Sequence, residues 1–281
     1  MKKIPILTTI TLSIISASAM FASQNTIADL KPQMLLASNF KEKPDFRLQK
    51  LEAAMEQHEE EKPQDWDTLV DIVRKARVEH GDYAMVATAN VIINQIPYVD
   101  GTDGSYFPPL KGFQRGGVVC KDYAVAKYIL LKEAGFPAEK MALLIHQSVL
   151  DPENGAHVVL IVDIDNELWI ANQFWNSTAN EFYKDYKIDR KKFQKEIKEK
   201  GVAALRTDIW FDNKYNKKSL TKLRHYAYTD RLVLSVVNEY GIFQQAKFDA
   251  MQAKLAKIKS NQKPKAAPKK KKQQSVGVSQ A

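Results

Sequence analysis

The sequence predicts an α+β domain, with helices first and an antiparallel sheet after them. Three observations predict it. Apolar residues recur at helical spacing between residues 47 and 94. A helix pattern over residues 120–134 is stopped by Gly135 and Pro137 and leads straight into strand patterns. Those strands, at 141–149, 157–164 and 168–174, are rich in Val, Ile, Leu and aromatic residues. Helices followed by consecutive strands separate this class from doubly wound folds.

The elements follow in order. Lys2 and Lys3 open the chain, an apolar run continues to Ile15, and small residues stand at Ala17, Ser18, Ala19 and Ala22. That layout predicts a secretory signal peptide over residues 1–22. The run is well short of the roughly 20 residues a membrane span needs. No later segment is long and apolar enough, so the mature protein is expected to be periplasmic or secreted, with no transmembrane span. Residues 23–45 read as a linker, 46–259 as the folded domain and 260–281 as a disordered, Lys-rich tail.

Within the domain, Leu48, Leu51 and Met55 predict a helix over 47–61, closed by Lys62 and Pro63. Asp65 or Asp67 is expected to cap a second helix to about residue 78. A third is expected over 83–94. Pro108, Pro109, Gly116 and Gly117 mark 96–117 as a loop. After the strands, 181–200 reads as one charged helix, 208–212 as a possible strand, and 232–259 as a final amphipathic helix.

The formal net charge is +9, but ten lysines and one aspartate from residue 241 onward account for all of it. The basic character therefore belongs to an appendage, which is expected to contact anionic envelope polymers. Residues 261–281 hold no aromatic side chain for base stacking, so specific nucleic-acid binding is not expected. One cysteine and scattered histidines give no zinc-ligand spacing.

A lone cysteine in an exported chain cannot form an intramolecular disulfide, so Cys120 is a packed residue, an intermolecular link or a working thiol. It opens the 120–134 helix, where unpaired N–H groups and the macrodipole favour a thiolate. It shares a stripe with Ala124, Tyr128 and Leu131. His157, Val159 and Ile161 share one face of the next strand but one, which is expected to face that helix. An activated thiol needs such a neighbouring base. His146 is the rival base, and His58 and His80 read as surface residues. A two-residue hairpin at Asp165-Asn166 would bring Asn172 to the face of His157; a three-residue loop would bring Ala171 and Gln173 instead. The Cys120 N–H is a natural oxyanion donor, with Gln114 as a second candidate.

The segments Ala89–Tyr98, Gly116-Gly117-Val118-Val119-Cys120-Lys121-Asp122-Tyr123-Ala124 through Tyr128, Gly135-Phe136-Pro137 and Ala156-His157-Val158-Val159-Leu160 resemble the bacterial transglutaminase-like cysteine peptidases. That family includes the LapG-type periplasmic proteases, which cut surface adhesins. The resemblance implies a transglutaminase/papain-like fold, Cys120 as nucleophile, His157 as base and a protein substrate, such as a surface adhesin. Acidic residues flank the cysteine in the family and help LapG-type members bind calcium; here Val119 and Lys121 take those places, which argues against a calcium site, and no cofactor is expected. The family's third catalytic residue is an aspartate where this chain has Ala171, so Asn172 is the candidate replacement, as asparagine is in papain-like enzymes. Two function classes follow: an envelope cysteine peptidase, or a catalytically weakened relative that binds a polypeptide or envelope component. Transfer to an amine through the same thioester is a third.

Overall fold

The computed structural model describes residues 46–99, 104–148, 155–209, 211–226, 233–239 and 241–242. The predicted signal peptide, linker and tail lie outside them. The helices α1 (Phe46–Glu60), α2 (Trp66–His80) and α3 (Asp82–Asn94) come first, then the short α4 (Pro109–Arg115) and the Cys-bearing α5 (Cys120–Glu133). Strands β1 (Met141–Gln147), β2 (Ala156–Ile164) and β3 (Glu167–Ala171) follow. Next come α6 (Asn176–Asp185), α7 (Arg190–Lys200), β4 (Thr221–Lys222), β5 (Val233–Asn238) and β6 (Gly241–Ile242). The strands form one antiparallel sheet in the order β4-β3-β2-β1-β5-β6. The α+β class is as the sequence predicts.

Helix α3 is buried on all sides from Ala84 to Asn94, which its nearly unbroken apolar sequence allows. Its two asparagines are bonded rather than wasted: Asn90 Nδ2 donates to the Ser219 carbonyl at 3.0 Å, and Asn94 Nδ2 to the Asn172 carbonyl at 3.0 Å. Helix α5 is likewise buried from Asp122 to Leu131 and lies between α3 and the sheet. The side chains of Val158, Leu160 and Val162 join the core beneath it, while Val159 and Ile161 line a second core on the other sheet face with Leu144, Ile170 and Tyr226.

Several expectations are corrected. The 96–117 segment contains α4, because Pro109 sits in its first turn, where proline's missing N–H costs nothing. Asp65 precedes α2 in a left-handed conformation (φ 62°) and makes no side-chain cap. The 181–200 stretch is two helices: Lys187 turns left-handed (φ 55°), and Asp189 caps α7 by accepting the Lys192 N–H at 2.9 Å. Among the described residues of 208–212 there is no strand. The predicted final helix begins instead as β5, where the alternating Val233, Ser235 and Val237 pair with the open edge of β1. The rest of that predicted helix lies outside the described residues. His58 is buried at 1% exposure, its Nε2 2.9 Å from Glu133 Oε1, and is not a surface residue.

The β2–β3 connection has two residues, and Ile164 pairs with Glu167. Asp165 and Asn166 both have positive φ, 53° and 61°, as a type I′ hairpin demands. Asn166→Gly should therefore leave stability unchanged or raise it by up to about 1 kcal/mol, whereas Asn166→Val should cost about 1–2 kcal/mol in urea unfolding. A valine variant as stable as the parent would contradict this turn.

Candidate active site

The start of α5 is fixed locally. Asp122 Oδ2 accepts the Val119 N–H at 3.2 Å, and its Oδ1 accepts the Phe107 N–H at 3.1 Å. A carboxylate at the third helical position thus holds the residue before the cysteine, and helix growth begins at Cys120. The preceding turn comes very close to its neighbours. A Cβ at Gly117 would lie 2.3 Å from Val99 Cγ1 and 2.8 Å from the Pro97 carbonyl, so only glycine fits.

Cys120 is partly buried at the mouth of the helix–sheet interface. The N–H groups of Val158 and Lys121 donate to its sulfur. Pairing between β2 and β3 reaches only Leu160–Ala171. The sulfur therefore meets the edge of β2 beyond the end of its neighbour strand, at the residue directly after His157. The sequence expectation of a face-to-face meeting is corrected here: His157 belongs to the register of Val159 and Ile161, on the sheet face away from α5. The edge of β2, not the helix-packed face, brings the thiol to this place.

Burial raises the thiol pKa above its usual value, and the Val158 and Lys121 N–H groups oppose this. Asp122 raises it further, and the Lys121 charge lowers it least. The helix start does supply an N–H to the sulfur, as expected, but burial prevails over it. Lys121 itself turns to the Ser105 carbonyl and to Asp122 Oδ1, the latter at 3.3 Å.

His157 Nε2 lies 3.1 Å from Asn172 Oδ1. The polarity of this bond is fixed by a third group. The Gln173 N–H donates to the same Oδ1 at 2.9 Å, so that atom is the amide oxygen, an acceptor only. Nε2 must then carry the ring proton, which leaves the Nδ1 lone pair bare while the ring is neutral. The other end of Asn172 continues the chain: Nδ2 donates to the Tyr226 hydroxyl at 3.4 Å, and that hydroxyl is 3.4 Å from His146 Nε2. His146 Nδ1 donates to the Gln147 carbonyl at 2.8 Å, so its Nε2 accepts. The rival base is thus 1% exposed and committed to backbone and tyrosine. The Trp175 ring stacks on His157 at 6.5 Å and 19°. Burial pulls the His157 pKa from 6.5 to about 4; Asn172 opposes the fall, and the charges of His146 and Lys127 add to it.

The remaining candidates separate. Ala171 is 2% exposed and faces the core under α5, so an aspartate there would point away from the imidazole; Asn172 occupies the His157 face. Gln114 lies exposed on α4 and makes no hydrogen bond to Cys120 among the described residues. Sequence reasoning missed two groups, Tyr226 and Lys127. Tyr226 carries no local signal, but Lys127 is seven residues beyond Cys120, on the same helical stripe. Beside Asn172 and Trp175 opens a cleft of about 800 Å³ that also includes Phe174, Thr178, Tyr215 and Lys218.

A cysteine opening a helix that packs on an antiparallel sheet, beside a histidine–asparagine pair, is an arrangement suited to thiol-dependent acyl chemistry. Residues 83–200, which hold all three groups, match the model of a family described as a transglutaminase-like domain. No curated protein matches the sequence. Among solved structures, the chain is similar to Legionella pneumophila LapG at 16% identity, with a TM-score of 0.40, over 82% of this chain and 97% of that one. The calcium-bound form of that protein matches at 16% identity and TM-score 0.40, over 73% and 98% of the two chains. Its EGTA-treated form matches at 20% and 0.32, over 52% and 70%. Among the described residues no helix is long and apolar enough to cross a membrane.

The depressed His157 pKa has a stability consequence with a definite sign. Above pH 6.5 the ring is neutral folded or unfolded. As pH falls from 6.5 toward the folded value of about 4, only the unfolded chain gains the proton, and stability is lost. Between pH 7 and pH 4 the loss assignable to this ring is about 3 kcal/mol. Urea unfolding of the parent and of His157→Gln at both pH values should show it as a shallower acid loss in the variant. Equal losses would mean that the ring is not held neutral.

Proposed function

We propose that this protein is an exported cysteine peptidase that hydrolyses a peptide bond of an envelope or surface protein. Cys120 is the nucleophile, His157 the base and Asn172 the group that orients the ring. The reading is supported above all by the His157–Asn172 bond, whose polarity leaves Nδ1 as the ring nitrogen able to accept a proton.

The chemistry follows from the electrostatics. A raised thiol and a depressed imidazole make the resting pair neutral, a thiol and an uncharged ring. As substrate arrives, His157 Nδ1 takes the Cys120 proton while the sulfur attacks the peptide carbonyl. The oxyanion is met by the Cys120 N–H, one of the helix-start donors with no intrahelical acceptor. The imidazolium then gives its proton to the leaving amine, and a thioester remains. Water, deprotonated by the same ring, hydrolyses it. The Asn172 oxygen keeps accepting from Nε2–H throughout, so the ring neither rotates nor changes tautomer. The cleft beside Trp175 offers aromatic and basic side chains to one arm of the polypeptide.

Incubating the purified mature protein with envelope extracts should release new fragments from one or a few proteins. Cys120→Ala and His157→Ala should abolish them, and Asn172→Ala should slow their appearance by roughly tenfold or more. Fragment patterns identical for the parent and Cys120→Ala would sink the peptidase reading. A polypeptide retained equally by both forms would replace it with a binding role.

A further inference from the structure

The helical layer carries a polar group that the chemistry above does not use. Lys127 is 0% exposed and among the largest fully buried side chains. It lies two turns beyond Cys120 on α5. Among the described residues no carboxylate is within ion-pair reach of it. Its Nζ donates to the Ala171 carbonyl at 3.3 Å and sits 5.5 Å from the centre of the Tyr123 ring. An amine buried without a counter-charge is costly, and burial holds its pKa well below the usual lysine value. A methionine or leucine would fill the same space without that cost.

A second donor converges on the next residue, because Asn94 Nδ2 donates to the Asn172 carbonyl. Two side chains from two helices thus hold consecutive carbonyls at the end of β3. They do so where the sheet gives up its hold. Pairing with β4 covers only Trp169 and Ile170, and pairing with β2 ends at Ala171. Asn172 is the first residue past the strand, and its amide must still meet His157.

We propose that Lys127, together with Asn94, is a positioning residue for Asn172: by holding the carbonyls of residues 171 and 172 from the helical layer, it sets where the Asn172 amide meets the imidazole. This rests on the thiol–imidazole reading of the site.

The test is a double-mutant cycle on the alkylation of Cys120 by iodoacetamide in the full chain at pH 7.5. Lys127→Met keeps the volume and removes the donor. It should slow alkylation about tenfold or more with an unchanged circular dichroism spectrum. In an Asn172→Ala background it should cause no further slowing, because both changes act through one contact. A parental rate in Lys127→Met, or the same fold-loss added to that of Asn172→Ala, overturns the inference in favour of a purely structural lysine. If Lys127→Met does not fold, Asn94→Ala enters the same cycle. It should give a loss of about threefold or more that also vanishes in Asn172→Ala, and an absent or additive loss counts against the clamp. His157→Ala is the control for the underlying reading. If it leaves the parental rate unchanged, the thiol–imidazole mechanism has failed, and the clamp fails with it. A rate sensitive to His157 but not to Lys127 removes the clamp alone.

Discussion

The hydrogen bond from His157 Nε2 to Asn172 Oδ1 is the interaction on which the candidate site depends. Its direction is set by geometry rather than assumed. A backbone N–H, that of Gln173, can only donate, so the amide cannot be flipped without setting donor against donor. The orientation then passes through Tyr226 to His146, whose own proton is committed to the Gln147 carbonyl. The links through Tyr226 are long, and the two short ones nearest His157 bear most of the constraint. The outcome is one ring nitrogen protonated and the other bare.

The layout of the sheet explains why such a site forms here. Strand β3 stops one residue before Asn172, so β2 has an uncovered edge at His157 and Val158. That edge receives the sulfur of a helix whose first residue is fixed by the Asp122 carboxylate. The same partial burial that creates the site removes charge from it. It pushes the thiol up and the imidazole down, and so favours a neutral thiol–imidazole pair over an ion pair.

Much of this arrangement was legible in the sequence. The helix start at Cys120 follows from Gly-Gly and a run of good helix formers, while the Asp122 cap that fixes it is seen only in the structure. Two turn residues able to adopt positive φ, Asp165 and Asn166, select the hairpin register, and that register alone puts Asn172 rather than Ala171 on the face of His157. The face that meets α5 was not legible. Both faces of β2 are apolar because a core lies on each side, so alternation cannot tell them apart. The break at Lys187 and the strand at β5 were hidden for a related reason. A charged segment carries its helical period across a turn, and a β-branched stretch reads as a helix when its strand partner lies about ninety residues earlier. His58 reads as a surface residue, and Lys127 goes unnoticed, because polarity says nothing of the partners that burial supplies, Glu133 for one and a backbone carbonyl for the other.

Nitrogen-15 NMR of the His157 ring, followed from pH 8 to pH 3 in the full chain, bears most directly on the central claim. The predicted spectrum shows Nε2 protonated and Nδ1 bare down to about pH 5, with the second proton arriving only near 4. A ring protonated on both nitrogens at neutral pH, or carrying its single proton on Nδ1, would contradict it.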